Sequence, residues 1–274
     1  MKDMAGFGLV GNFAYHLEQA GEAAAFAHIK SDAENAPKGI FPFYIPESSG
    51  ILGRYCIDNT TIILPQDTTL NVQAEPEVGL ECEICYNNGY VSSMRPHFFM
   101  AFNDTSVRND SNAIKISQKK NFSYASKGMG AKIALDTFDR GGICDRYWIT
   151  SFICSENNVL EVYGENSPLL GYSYFYKKLL DWIVRTLNTQ EDLLMLEYLR
   201  GLLAQANYPK RAIFTIGATR YMPDKEKRFL RPNDKVYVVV YDHSKYSLCD
   251  IQEIAQSQAQ VEGVSLLCQR VVRD

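Results

Sequence analysis

Glu75-Pro76-Glu77 and Asn103-Asp104-Thr105-Ser106-Val107-Arg108 are the segments of this chain whose residue types and spacing are best suited to chemistry. The first opens the apolar run Val78-Gly79-Leu80, and the second closes the run Phe98-Phe99-Met100-Ala101-Phe102. Side chains alternate along an extended strand, so Glu75 and Glu77 point the same way, and two ionised carboxylates side by side repel unless a cation lies between them. Asp104, at the exit of the second strand, offers a third oxygen. Three carboxylates form the all-oxygen donor set that suits magnesium, manganese or calcium rather than zinc. The plain alternative is a pair of solvated acids ahead of a strand, the usual fate of an isolated Glu-x-Glu.

Further groups stand around these acids in a fixed order: Gly11-Asn12-Phe13-Ala14-Tyr15-His16, Glu75-x-Glu77, Asp104-x-Ser106-x-Arg108, Lys120-Asn121-Phe122, Gly128-Met129-Gly130 and Leu230-Arg231-Pro232-Asn233-Asp234-Lys235-Val236. In that order, from about residue 8 to about residue 241, the chain resembles the catalytic domain of the fumarylacetoacetate hydrolase (FAH) superfamily. The resemblance is clearest from Gly8 to Gly130 and loosest between Ile143 and Tyr208. It implies an α+β, β-rich fold, a mixed β-sheet roll with a helical lid segment near the N-terminus, and a homodimer. It also implies Mg2+ (or Mn2+ or Ca2+) on Glu75, Glu77 and Asp104, with Lys120 directed at the enolate or carboxylate of a small oxo-carboxylic (diketo) acid. Taken alone, Lys120 beside Lys119 reads as an exposed surface lysine. Arg108 either binds a substrate carboxylate or pairs with an acid behind the ligands.

His16 is the residue on which the reaction type turns. In hydrolytic and decarboxylating members of that superfamily, the matching histidine has an acid one helical turn on, which orients the ring and raises its basicity. Here that place holds Gln19, which can orient an imidazole but cannot stabilise its charge; Glu18 projects from another part of the helix and Glu22 lies further along it. The glycine-threonine-proline turn of the superfamily appears as Gly217-Ala218-Thr219-Arg220, so Thr219 and Arg220 are expected to offer a different carboxylate contact. Ser123 replaces a usual aspartate, and Ala131 replaces a proline. The expectation is a divergent metal-dependent enzyme performing C–C hydrolysis, decarboxylation or keto–enol isomerisation. The alternative is an FAH-like scaffold whose turnover has lapsed, serving as a ligand-binding or assembly protein.

The elements that must position these residues read as follows. A strand over Phe7-Gly8-Leu9-Val10 and a turn at Gly11-Asn12 lead into a helix from His16 to about Ile29. Strands follow at Ile62-Ile63-Leu64, Val78 to Tyr86 and Phe98 to Phe102, with a hairpin turn at Asn87-Asn88-Gly89. Tyr147 to Cys154, Asn158 to Tyr163, Ile213 to Ile216 and Val236 to Tyr241 are further strands. Between Ser173 and Asn207 the leucines and aromatics fall at helical spacing in two runs, the second capped by Thr189 with Asp192, so a helical hairpin is expected as an insertion over about 171–207 of a single domain, 1–274.

The chain's 274 residues, 46% hydrophobic and 22% charged, are enough for a substantial core. A net charge of -4 without a Lys/Arg stripe argues against nucleic-acid partners. No apolar run reaches the length of a membrane span and no signal-peptide pattern opens the chain, so no membrane partner and a cytoplasmic location are expected. Seven cysteines without framework spacing suit reduced thiols. Cys82-Glu83-Ile84-Cys85 has the form of half a zinc knuckle, but on a strand its two sulfurs face opposite ways.

Overall fold

Two mixed sheets frame the molecule in the computed structural model, which describes residues 3–26, 28, 33, 35–155 and 159–273. The first sheet runs β2 (Gly39–Tyr44), β1 (Ala5–Val10), β12 (Arg211–Thr215), β5 (Pro76–Asn87), β6 (Tyr90–Asp104) and β8 (Lys127–Met129), with β9 (Ile133–Ala134) also paired to β6. The second runs β11 (Leu160–Pro168), β10 (Tyr147–Cys154), β13 (Lys235–Asp242), β14 (Val264–Arg273) and β3 (Thr61–Leu64). A short ribbon pairs β4 (Val72–Gln73) with β7 (Ser106–Val107). Only β1 with β12 and β14 with β3 are parallel among these pairs. The main core lies where Leu80 and Phe99 of the first sheet meet Ile149, Val238 and Val240 of the second, and Phe99 packs edge-on against Tyr147 at 4.8 Å. No helix among the described residues is long and apolar enough to cross a membrane.

The hairpin of β5 and β6 carries the acids. Its turn has positive φ at Asn88 and Gly89 (51° and 77°), the two-residue geometry that matches the twist of paired strands. Near the site β5 is buried on both faces, which explains the unbroken run of apolar residues, whereas toward the turn Cys82 is buried and Cys85 exposed. The two sulfurs are on opposite faces, as their spacing predicts, and all seven cysteines are free.

Elsewhere the structure departs from the sequence reading. The long helix expected from His16 is two short ones, α1 (His16–Gln19) and α2 (Ala23–Phe26), and Ile29 lies outside the described residues. Gly21, at φ +72°, ends α1: its N–H bonds the Glu18 carbonyl at 3.1 Å and that of Glu22 bonds the Leu17 carbonyl at 2.9 Å, the pattern that turns a chain back at a helix C-terminus. Strand β2 was missed because Pro42 breaks its signal; it is tolerated there because β2 is an edge strand. Asn158, the expected start of a strand, is outside the described residues, and β11 begins at Leu160.

Of the expected helical hairpin, α4 (Tyr176–Thr189) forms with Leu179, Trp182, Ile183 and Leu187 buried, packing on β6 and β2. The second helix is only α5 (Leu199–Gln205): Leu193 and Leu194 are exposed, and Asp192 pairs with Lys115 at 2.7 Å instead of forming a cap with Thr189, the last residue of α4. Two further helices, α3 (Ile116–Lys120) and α6 (Leu248–Ser257), complete the chain; α6 carries a reciprocal Ser247–Asp250 cap and lies on β13 and β11.

Glu197, between α4 and α5, is 8% exposed. Burial pushes its pKa up to about 7. Below the ordinary carboxylate range both folded and unfolded chains hold the proton, so stability is unaffected. As the pH rises from there to about 7 the unfolded chain ionises first, and stability is lost. Glu197→Gln is therefore expected to flatten the fall in stability between pH 5 and pH 8 by roughly 1–3 kcal/mol. Chemical denaturation at the two pH values measures it, and equal slopes in variant and wild type would refute it.

Candidate metal and substrate site

Strand register brings the acids together. In β5 and β6, Glu77 stands opposite Phe102 and Pro76 opposite Asn103, and the Asp104 N–H bonds the Glu75 carbonyl at 3.0 Å. Residues directly opposite share a face, so Glu75, Glu77 and Asp104 all project to one side. Oxygens of the three lie within 4.8 Å of one another, and all three side chains are buried. On the far side of β6, the pairing of Asp104 with Lys127 of β8 puts a lysine directly across from the acid.

Cations crowd this face. The Lys120 ammonium, at the end of α3, lies 2.7 Å from Glu75 Oε2 and 2.8 Å from Asp104 Oδ2. Lys127 Nζ lies 2.7 Å from Asp104 Oδ1 and is fully buried. Arg108 Nη2 is 2.8 Å from Glu75 Oε1, while its Nε donates to Gln73 Oε1 at 2.7 Å and Nη2 to the Tyr221 hydroxyl at 2.9 Å. Arg108 thus reaches an acid of the set. Glu77 differs from the other two acids: its Oε2 accepts the Gly217 N–H at 2.9 Å, and among the described residues no ammonium or guanidinium forms an ion pair with it. Gly217 reaches that position at φ +105°, a backbone conformation that suits glycine.

These placements set the protonation states. Burial pushes Glu75 up, but Lys120 and Arg108 outweigh it and hold its pKa at about 2. Glu77 is raised well above the carboxylate range, first by burial and then by repulsion from Asp104. Lys120 is disfavoured as a cation by burial, yet Asp104 and Glu75 more than offset this and keep it charged. His16 is buried, 3.9 Å from Glu75, with Nδ1 unbonded, and burial pushes its pKa down to about 4, so at neutral pH the ring is a proton acceptor.

The donor set fits a hard divalent cation. It is all oxygen, Glu77 forms no ion pair among the described residues, and Glu75 Oε1 and both Asp104 oxygens are buried without a hydrogen bond, their lysine and arginine contacts lying off hydrogen-bond directions. A cavity of about 20 Å³, room for about one water, adjoins Glu75 and is lined by His16, Glu22, Phe41, Arg108 and Lys120 among others.

Three residues stand elsewhere than the sequence suggested. Gln19 does not orient His16: its Nε2 donates to the Tyr221 carbonyl at 3.2 Å and to Glu226 at 3.0 Å, and its Oε1 accepts the Tyr221 N–H at 2.9 Å, so it fastens α1 to the segment after β12. Arg220 turns away to Glu165, at 2.7 Å. The Thr219 N–H bonds the Pro76 carbonyl at 3.0 Å, bracing the strand entry between the two glutamates. Two buried residues at the site were missed, Lys127 and Gln73. The sequence carries a signal for neither: Lys127 is placed by the register of β8 across Asp104.

The sequence matches the model of a family of unknown function, DUF5718, over residues 22–271. No curated protein matches it. Among solved structures, a 5-carboxymethyl-2-hydroxymuconate delta-isomerase from Mycobacterium smegmatis is similar at TM-score 0.52 and 15% identity, over 98% of this chain and 79% of that one. A 2-hydroxyhepta-2,4-diene-1,7-dioate isomerase from Mycobacterium marinum is similar at TM-score 0.53 and 14% identity, over 98% and 75%. A 2-keto-3-deoxy-D-arabinonate dehydratase, complexed with magnesium and 2,5-dioxopentanoate, is similar at TM-score 0.50 and 14% identity, over 98% and 73%. At such identities the likeness is one of fold, and that fold is the FAH-like one.

Proposed function

The chain belongs to DUF5718, a family of unknown function, and from its site we propose that it is a divalent-metal-dependent enzyme acting on a small oxo-carboxylic acid. The observation that carries this is the convergence of Glu75, Glu77 and Asp104 within 4.8 Å, buried, with Glu77 lacking a cationic partner among the described residues. Arg108, Lys120 and Lys127 pair with Glu75 and Asp104, and among the described residues none pairs with Glu77, which leaves one buried carboxylate for a bound cation to answer. In this reading they hold Mg2+ or Mn2+, which when bound supplies a Lewis acid for the two oxygens of a chelating oxo acid. The fold is shared with isomerases and a dehydratase, the last complexed with magnesium and an oxo acid.

This chain's own residues supply the rest. Lys120, held between Glu75 and Asp104, is the ammonium nearest to negative charge developing on the ligand. His16, buried and neutral, takes or returns a proton. No carboxylate orients its Nδ1, Gln19 being engaged with Tyr221 and Glu226, so the ring is better suited to moving a substrate proton than to drawing one from water. Decarboxylation or keto–enol isomerisation is therefore favoured over C–C hydrolysis.

The test compares oxaloacetate decarboxylation with acetylpyruvate hydrolysis in Mg2+ or Mn2+, for wild type and His16→Ala. The expected result is faster decarboxylation than hydrolysis, and hydrolysis lost in His16→Ala. Hydrolysis at least as fast as decarboxylation and indifferent to His16→Ala would refute the role of His16, and no metal-dependent turnover of either compound would favour a ligand-binding scaffold.

A further inference from the structure

Glu22 lies at the wall of the same cavity, 6% exposed although it follows a surface turn. The reversal of the chain at Gly21 aims it inward. Its Oε1 stands 3.6 Å from Arg108 Nη1 and 3.5 Å from Lys119 Nζ. Arg108 spends Nε on Gln73 and Nη2 on Glu75 and Tyr221, so Nη1 is the corner of its guanidinium turned to Glu22. A carboxylate thus sits loosely between two cations, at distances beyond those of a tight charge-assisted bond, in a cavity too small for an oxo acid.

We propose that Arg108 and Lys119 form a carboxylate subsite which Glu22 fills when no ligand is present, and that the second carboxylate of a dicarboxylic oxo acid takes this place by displacing it. The inference rests on the oxo acid reading above and adds the substrate's second charge to it. Electrostatics point the same way. With Glu22 displaced, the four cations Arg108, Lys119, Lys120 and Lys127 face the three acids Glu75, Glu77 and Asp104, and a divalent cation adds two more positive charges, so a dianion offsets more of the excess than a monoanion does. Entry of the ligand then requires the turn at Gly21 to swing Glu22 outward. Gly21 has open space around its Cα, and Glu22 has no other ion pair among the described residues to hold it.

The experiment is calorimetric binding of two near-isosteric probes to the magnesium-loaded protein: 2-oxoglutarate, and 2-oxopentanoate, which has a methyl in place of the second carboxylate. In Glu22→Gln, 2-oxoglutarate is expected to bind about tenfold tighter relative to 2-oxopentanoate than it does in wild type, and in Lys119→Gln about tenfold weaker. The ratio of the two dissociation constants must move in opposite directions in the two variants, and any result without that reversal overturns the proposal. If both probes bind and the ratio stays fixed, only the subsite falls. If neither binds the magnesium-loaded wild type, the oxo acid reading falls as well.

Discussion

Glu77→Gln is expected to raise the melting temperature of the metal-free protein and to remove most of the stabilisation that Mg2+ gives the wild type. Glu75 is answered by Lys120 and Arg108, and Asp104 by Lys120 and Lys127; among the described residues Glu77 has no ion pair and accepts the Gly217 N–H, which a glutamine oxygen can equally accept. Burial and the nearby Asp104 hold the Glu77 pKa well above the carboxylate range. Below that range the residue costs nothing; as the pH rises through it the unfolded chain ionises first, and the folded state loses stability that glutamine does not lose. At pH 8 the gain should be on the order of 1–2 kcal/mol, a few degrees in melting temperature. A bound ion stabilises only the folded state, by about 2.7 kcal/mol at a hundred times its Kd, and needs the ionised acid. Scanning calorimetry with and without saturating Mg2+ measures both effects. A variant that melts below wild type without metal and keeps its metal shift would show that Glu77 is not a ligand.

Lys127→Met should be the most damaging single change at the site, costing about 3–5 kcal/mol, because it leaves a buried carboxylate with one of its two ammonium partners gone. Lys127 is fully buried, and besides Asp104 its ammonium donates to the Lys120 and Thr105 carbonyls. Adding Asp104→Asn in the Lys127→Met background should recover part of the loss, since the amide needs no cation, whereas Asp104→Asn alone leaves the buried Lys127 ammonium without a carboxylate while Lys120 keeps Glu75. Urea unfolding of the two single variants and the double variant closes the cycle. Independent, additive losses would mean that the pair is not coupled.

How far the sequence revealed this site depended on whether the information was local. The Glu-x-Glu spacing places two carboxylates on one strand face wherever that strand goes, and Asp104 closes an apolar run, so the acidic set was legible. Lys120 was legible through the order of motifs around it. Lys127 was not, since Ser126-Lys127-Gly128 has no apolar pattern and its burial is decided by β8 lying against β6. Glu22 was misjudged for the opposite reason. Periodicity carried one helix through Gly21, placing Glu22 far from His16, whereas a positive φ at that glycine turns the chain and brings both to one cavity. Similarly, the leucines from 193 to 203 keep helical spacing, but Leu194 at φ 51° and the Leu193–Leu196 bridge make the first part a turn. The fold class survived these errors because the strands, which carry the core, are marked by β-branched and aromatic runs.

Asn103 and Asp104 are neighbours on β6 facing opposite ways. While Asp104 looks into the site, the Asn103 amide donates to Gln269 of β14 at 2.8 Å, and Gln269 reaches the carbonyls of Asp58 and Lys127 at 2.7 and 3.1 Å. The strand that presents one acid and the strand that presents its lysine are thus tied from behind by a residue 166 positions later. On the ribosome this has a consequence: every residue of the acidic set has been made long before β14, yet the tie that fixes β6 against β8 cannot form until β14 emerges. The acidic set is therefore expected to settle into its final register only once β14 has paired behind it.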